Sequence, residues 1–282
     1  MNTPMNAPTV AVIGLGCIGG SLARALAESG APMRGWSTSN EDCEQARARG
    51  IDVPSASLED VVSDARLVVL AVPAQAIAQV ASTAIHGAPG TADIVHCGGV
   101  QSRGALHLDD ATFARVIGAH PLAGSHESGF GASRADLFTG CTVSIESRAS
   151  DDVREHLRWM WTLVGAAQLE FRRAEEHDVM MTWVSHLPQL AATALASTFA
   201  AEHIDPKSVG PGARDSTRLA ASSFDQWSAL VRAEPAVLDA ALRRLESSVA
   251  SIRDALASDD ERALKSIWES AQAWRREAER TA

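Results

Sequence analysis

A short apolar run, Thr9–Ile13 (TVAVI), passes directly into Gly14-Leu15-Gly16-Cys17-Ile18-Gly19, and a helical pattern through Leu22, Ala25 and Leu26 follows. Strand, tight glycine turn and helix in that order commit the start of the chain to a βαβ unit. The G-x-G-x-x-G spacing gives each glycine a reason. Gly14 permits the sharp turn, Gly16 lets a pyrophosphate approach the backbone, and Gly19 allows the helix to pack close to the strand. Cys17 and Ile18 open the helix, whose N-terminus favours the negative charge of a bound dinucleotide.

Further strand candidates are Met33–Trp36, Leu67–Val72, Ala92–Cys97, Arg115–Gly118 and Cys141–Ile145. The continuously apolar LVVLAV of Leu67–Val72 suits a parallel strand buried on both faces. Strands alternating with helical segments predict an α/β fold, a Rossmann-type doubly wound and mostly parallel sheet. Beyond Phe171 strand signals stop and alanine- and leucine-rich helical segments follow: Ala174–Ala201, Arg214–Ala220, Phe224–Arg232, Ala236–Ser258 and Asp260–Arg280, with Asp259 and Asp260 as turn and cap. The expected division is a dinucleotide-binding domain over 1–172 and an all-α substrate and dimerisation domain over 173–282. The breadth of apolar helix faces predicts a homodimer.

A net charge of −10 on 282 residues leaves no basic surplus for nucleic acid. No apolar run reaches the ~20 residues of a membrane span, and the first ten residues show no secretory signal pattern. The four cysteines, Cys17, Cys43, Cys97 and Cys141, form no C-x-x-C pair and suit a reduced, cytoplasmic protein. No metal-ligand set is expected.

The end of the second strand decides between cofactors. An NAD-binding chain usually carries an acid there for the ribose 2′-OH, and the segment Arg34-Gly35-Trp36-Ser37-Thr38-Ser39 has Ser37 instead. The hydroxyls of Ser37 and Thr38 do not repel a 2′-phosphate, so NADP is expected, with NAD as the alternative. Arg34 and Arg47 are the nearby candidates for a phosphate clamp.

Gly118–Gly131 (GAHPLAGSHESGFG) holds two histidines, a glutamate, two serines and four glycines without helical or strand periodicity. That composition is poor core material and reads as an active-site loop. His120 is the residue of this stretch whose role beside a bound cofactor has to be explained; His126 is equally well read as a gate or as a surface residue. Further on, Asp178, Thr182, Ser185, Gln189 and Thr193 recur at helical spacing on an otherwise apolar helix, a stripe that must face water, a partner or a site.

Four segments carry a resemblance. His120-Pro121-Leu122-Ala123-Gly124 resembles the HP-x-AG motif of prephenate and arogenate dehydrogenases. Leu70-Ala71-Val72-Pro73 is similar to that family's strand end beside the nicotinamide. Ser185-His186-Leu187-Pro188-Gln189 resembles its SHLPH motif, and Gly212–Ala220 with Trp227 resembles its G-x-RDTTRIA…W segment. The resemblance runs from Val10 to about Ile267. It implies oxidation of a cyclohexadienol with loss of the ring carboxylate, His120 as base, and Arg218 as the bidentate substrate-carboxylate ligand. Arg214, one helical turn earlier, Ser125, Ser185, Gln189 and a pocket wall at Trp227 complete the implied substrate site. Val72, Pro73, Gly98 and Gly99 complete the cofactor site. Asp215 is expected to orient an arginine or cap a helix, and His186 to pack.

Two departures matter. Gln189 stands where the family motif has its second histidine. A neutral amide can accept a hydrogen bond from an ammonium group and imidazolium cannot, which favours arogenate over prephenate, or at least a relaxed specificity that takes both. In His96-Cys97-Gly98-Gly99-Val100-Gln101 the family's usual serine and lysine are Gly99 and Gln101, so a hydrogen bond worth ~1 kcal/mol near the reacting centre is missing unless His96 or a water replaces it. Alternatives are a 4-amino-4-deoxyprephenate dehydrogenase and a dinucleotide sensor without turnover. A β-hydroxyacid dehydrogenase would need a lysine within Ala174–Ala201, and there is none. A fused amino-acid sensor after residue 282 is not expected.

Overall fold

The computed structural model describes residues 8–125 and 127–280; residues 1–7, on which the reading of no secretory signal mostly falls, His126 and residues 281–282 lie outside the described residues. The chain separates into two compact units, 1–234 and 235–282.

The first unit runs β1 (Val10–Ile13), α1 (Cys17–Glu28), β2 (Met33–Trp36), α2 (Asn40–Ala48), α3 (Leu58–Val62), β3 (Leu67–Leu70), α4 (Ala74–Gly87), β4 (Asp93–His96), α5 (Asp110–Arg115), β5 (Val116–Pro121), β6 (Thr142–Glu146), α6 (Asp151–Leu163), β7 (Gln168–Arg172), α7 (Ala174–Met181), α8 (Leu187–Ala201), α9 (Pro211–Thr217), α10 (Phe224–Trp227) and α11 (Leu230–Ala233). Among the described residues one sheet forms, in the order β2-β1-β3-β4-β5-β6-β7. Only the β5–β6 pair is antiparallel; the other neighbours are parallel. The order reverses between β1 and β3, and a doubly wound sheet opens a ligand crevice at the carboxyl ends of the strands there.

Alternation of side chains fills both faces of the sheet. Val10, Val12, Leu67, Val69 and Val95 pack with Leu22 and Leu26 of α1 and with Leu157 and Trp161 of α6. Ala11, Ile13, Val68, Leu70 and Ile94 pack on the other face with Val61 and Val62 of α3 and with Ala81 and Ala84 of α4. Each fully buried Val or Leu is worth about 1.5–3 kcal/mol of transfer free energy, so the central strands are the rigid platform of the site.

Three readings change. His120 lies at the end of strand β5 and not in a loop: β4 pairs with Val116–Gly118 and β6 with Ala119–Pro121. A proline is tolerated there because its own stretch has one neighbour only. Strand β7, which the sequence reading passed over, alternates as QLEFR at the sheet edge. The single helix expected over Ala174–Ala201 is interrupted by a π-turn, Thr182–His186.

The second unit is a helical hairpin, α12 (Pro235–Ala257) and α13 (Glu261–Arg280). Asp259 makes the turn with φ 53° and Asp260 caps α13 by accepting from the Ala263 N–H at 2.9 Å. Trp268 and Trp274 of α13 are exposed. No helix among the described residues is long and apolar enough to cross a membrane.

Candidate active site

A cavity of about 1130 Å³ opens at the carboxyl ends of β1 and β3, within the first unit. One wall is the glycine turn: Gly14, Gly16, Cys17 and Ile18 line it, with Ser37, Thr38 and Ser39 beyond β2 and Ala71–Pro73 beyond β3. Helices α2, α3, α5 and α6 are capped by Ser39, Ser57, Asp109 and Ser150. The two helices that begin on the cavity, α1 and α4, have no side-chain cap and no acid in the first turn. Their first N–H groups are therefore left for an anion.

The glycines divide as their spacing suggests. Gly14 has φ +93°, and a Cβ there would meet Ala71 O at 2.4 Å. At Gly19 a Cβ would lie 1.8 Å from Gly14 O; this glycine serves packing and does not line the cavity. At Gly16 a Cβ would meet no atom within 4 Å, so the space is there for a pyrophosphate. The residues fit a dinucleotide. In the ribose corner Arg34 is committed to Asp64 at 2.6 Å and Arg47 donates to Val53 O at 2.7 Å, so neither is free to clamp a 2′-phosphate. Asp42 also lines this corner, with one oxygen accepting from the Phe130 N–H at 2.7 Å.

The opposite wall holds Ser125, Ser185, Gln189, Arg218, Trp227 and Leu230. Arg218 forms no ion pair among the described residues, whereas Arg134, the other arginine of the wall, has Asp136 at 3.6 Å. Arg214 is exposed and away from the cavity. Helix α9 ends at Thr217 and tightens to a 3₁₀ turn over Arg218–Ala221, so positions 214 and 218 lose the α-helical register that would align them. Asp215 is exposed beside it. Gln189 is 4% exposed. Its Nε2 donates to Leu219 O at 2.9 Å, and its Oε1 is buried without a partner. Because Leu219 O can only accept, the amide orientation is fixed and the oxygen is the free atom. Trp227 stands edge-on to the buried His186, ring centroids 6.0 Å apart.

The polar stripe resolves into different jobs. Thr182 and Thr193 satisfy backbone carbonyls one turn back, and Asp178 is wholly buried. The Asp178 Oδ1 accepts from Gln101 N and its Oδ2 from Ser102 N, both at 2.8 Å. Oδ1 also receives His177 Nδ1 at 2.8 Å. Burial works to raise the Asp178 carboxyl, but His177, Ser102 and Gln101 hold it below its ordinary value. His177 Nε2 in turn meets His120 Nδ1 at 3.1 Å. Sequence reasoning missed His177; its buried neighbour Asp178 on the first helix after the sheet was the available signal.

His120 is half-buried beside the cavity rather than lining it. Its Nε2 lies 3.8 Å from where a Gly99 Cβ would be. Burial, then the neighbouring His177 and His96, pull its pKa down to about 3, against the pull of Asp178. His96, which the sequence offered as a substitute for the missing serine, is buried with Nδ1 accepting from the Gly98 N–H at 3.2 Å; burial takes it down to about 4. Gly98 therefore holds this loop and, like Gly99, does not line the cavity. Gln101 is buried and ties the loop to β6 by donating to Ser144 O at 2.9 Å. No group of three metal-ligating side chains is arranged for a metal among the described residues.

A dinucleotide cradle facing an arginine that has no ion pair among the described residues, with a histidine–carboxylate line beside it, defines a Rossmann-type dehydrogenase that uses a nicotinamide dinucleotide. Family comparison carries this one step further. The description "Prephenate dehydrogenase, nucleotide-binding domain" matches residues 22–167 and "Prephenate dehydrogenase, dimerization domain" matches residues 173–270. The chain belongs to the prephenate dehydrogenase family. It is 28% identical over 247 residues to a prephenate dehydrogenase of Lactococcus lactis subsp. cremoris, covering 84% of this chain and 67% of that one. It is 28% identical over 264 residues to a cyclohexadienyl dehydrogenase of Zymomonas mobilis, covering 89% of each. Its fold superposes with a TM-score of 0.86 on the prephenate dehydrogenase of A. aeolicus in complex with hydroxyphenyl propionate and NAD+, at 24% identity, covering 98% of this chain and all of the other.

Proposed function

We propose that this chain oxidises arogenate, with NADP as the preferred acceptor, to an aromatic amino acid and carbon dioxide. The bound cofactor supplies a hydride acceptor. His120 takes the carbinol proton as the C–H bond at that carbon breaks. Arg218 anchors a substrate carboxylate, Ser125 and Ser185 supply hydroxyls, and Trp227 walls the ring. The electron pair of the breaking C–CO₂⁻ bond enters the ring, which becomes aromatic.

The observation that carries the substrate is the free Oε1 of Gln189, buried in the cavity wall near Arg218's segment. Arogenate offers an ammonium to that acceptor, and a charge-assisted bond there is worth about 1.5–3 kcal/mol. Prephenate and 4-amino-4-deoxyprephenate offer a keto oxygen, which leaves two acceptors facing each other. The NADP preference rests on Ser37 and Thr38 lining the ribose corner without a carboxylate at position 37. A matrix of NAD or NADP against the three ring substrates, read by nicotinamide absorbance, tests both; a higher kcat/KM for a keto substrate, or for NAD, overturns the corresponding half. The homodimer is supported by the dimerization-domain match and is checked by sedimentation velocity.

A further inference from the structure

We infer that His177 and Asp178 form a two-residue proton relay behind His120, which fixes the tautomer of the base and receives its surplus proton. This rests on His120 acting as the base in the proposed reaction.

The hydrogen-bond chain has one direction. Asp178 accepts the N–H groups of Gln101 and Ser102, so it is held as a carboxylate and the hydrogen between it and His177 sits on His177 Nδ1. Neutral His177 then presents a lone pair at Nε2, and His120 must place its hydrogen on Nδ1 to fill the 3.1 Å contact. That leaves His120 Nε2 bare, on the side of Gly99. Gly99 has no side chain to orient that nitrogen, so the ring is held from its Nδ1 side, with its plane at 82° to that of His177.

The same chain moves a proton in balance. His120 Nε2 gains the carbinol proton while Nδ1 passes its own to His177 Nε2. His120 ends neutral, protonated on Nε2, and the positive charge ends on His177 against the Asp178 carboxylate. The relay needs no further reactant: loss of the ring carboxylate leaves the former carbinol oxygen as a phenolate, and the base resets when the proton returns along the same chain to that oxygen. The charged and titratable groups around His120 are His96 from β4, His177 and Asp178 from α7, and His186 from the π-turn. Asp178 is the acid among them, and so the place where a cation is stabilised.

Asp178→Asn separates this from a structural role. Its amide must turn an NH₂ either on Ser102 N–H or on the His177 and Gln101 side. In the second case His177 Nδ1 becomes an acceptor, and its Nε2–H forces the hydrogen of His120 onto Nε2, the wrong nitrogen. With Asp178→Asn and His177→Gln, kcat is expected to fall about 100-fold or more, while KM and cofactor Kd stay within about threefold. Histidine-selective ¹⁵N spectra of the wild-type protein are read alongside. They are expected to show His120 protonated on Nδ1 and bare on Nε2. Variants that bind cofactor normally and keep kcat within threefold overturn the relay, as does a wild-type His120 carrying its hydrogen on Nε2. The spectrum decides the matter if neither variant folds. Wild-type protein with the expected tautomers and no turnover of any ring substrate would instead sink the dehydrogenase reading.

Discussion

Replacing Gln189 by methionine isolates the contribution of one oxygen. The two side chains are of similar length and shape, so the wall keeps its form, but methionine offers no acceptor of comparable strength. Two losses follow. Leu219 O loses its donor, and because Leu219 follows Arg218 in the same 3₁₀ turn, the carboxylate anchor loosens for every substrate alike, by about 1 kcal/mol or some fivefold in kcat/KM. The second loss is selective: only a substrate with an ammonium was using Oε1. At about 1.5–3 kcal/mol that amounts to a further 10- to 150-fold for arogenate and none for prephenate. The ratio of kcat/KM values cancels the shared loss. It should swing at least tenfold toward prephenate, measured from initial rates with both substrates at saturating cofactor. An equal fall for both substrates, or an unchanged ratio, would refute the argument that the free oxygen selects the amino side chain. Gln189→His should move the ratio the same way, since a protonated imidazole donates where the amide accepted.

The glycine turn gives a paired expectation. Gly16→Ala meets no atom, so the melting temperature should hold while cofactor Kd rises at least tenfold; Gly19→Ala overlaps Gly14 O and should lower the melting temperature itself, both read by calorimetry and cofactor titration. Arg218→Lys keeps the charge and loses the fork, and substrate KM should rise about tenfold with cofactor Kd unchanged. His96 and His120 are held at about 4 and about 3 against about 6.5 unfolded. The unfolded chain therefore binds up to two more protons below that value, and stability is lost as pH falls. Urea midpoints should be level above about pH 7 and drop by the equivalent of up to about 2–3 kcal/mol per pH unit between pH 6 and 4; a level profile down to pH 5 would contradict the two depressed values.

The cofactor half of the site was legible because its signals are local. One turn needs glycine at Gly14 for its φ, at Gly19 for closeness and at Gly16 for space, and all three fall within six residues. Strand β3 was legible because burial on both faces leaves a continuous apolar run. His120 was found but misplaced: β5 exchanges one neighbour for another halfway along, and Gly118 and Pro121 hide the strand pattern. The stripe from Asp178 to Thr193 marked a polar helix face but not its division of labour. That division depends on partners as distant in sequence as Gln101 and Leu219, which no spacing reveals. Arg214 was paired with Arg218 by assuming one helix, and the change to a 3₁₀ turn separated them.

The π-turn at Thr182–His186 sets the phase of the long helical segment that carries both halves of the chemistry. Upstream of it His177 and Asp178 face the end of the sheet, and downstream Gln189 faces the cavity. A π-turn holds one residue more than the α-helix it interrupts, so deleting a single exposed residue there, such as Val184 at 61% exposure, would let the segment close into plain α-helix. A plain α-helix that loses one residue turns by about 100° and shifts by about 1.5 Å beyond the break; here the surplus residue of the turn absorbs the loss, so the two flanking segments keep their relative phase. The relay and the specificity residue would still face their targets together. The same deletion between the turn and Gln189, where no surplus residue exists, would pull them apart, so the turn is the place where this segment tolerates a change of length.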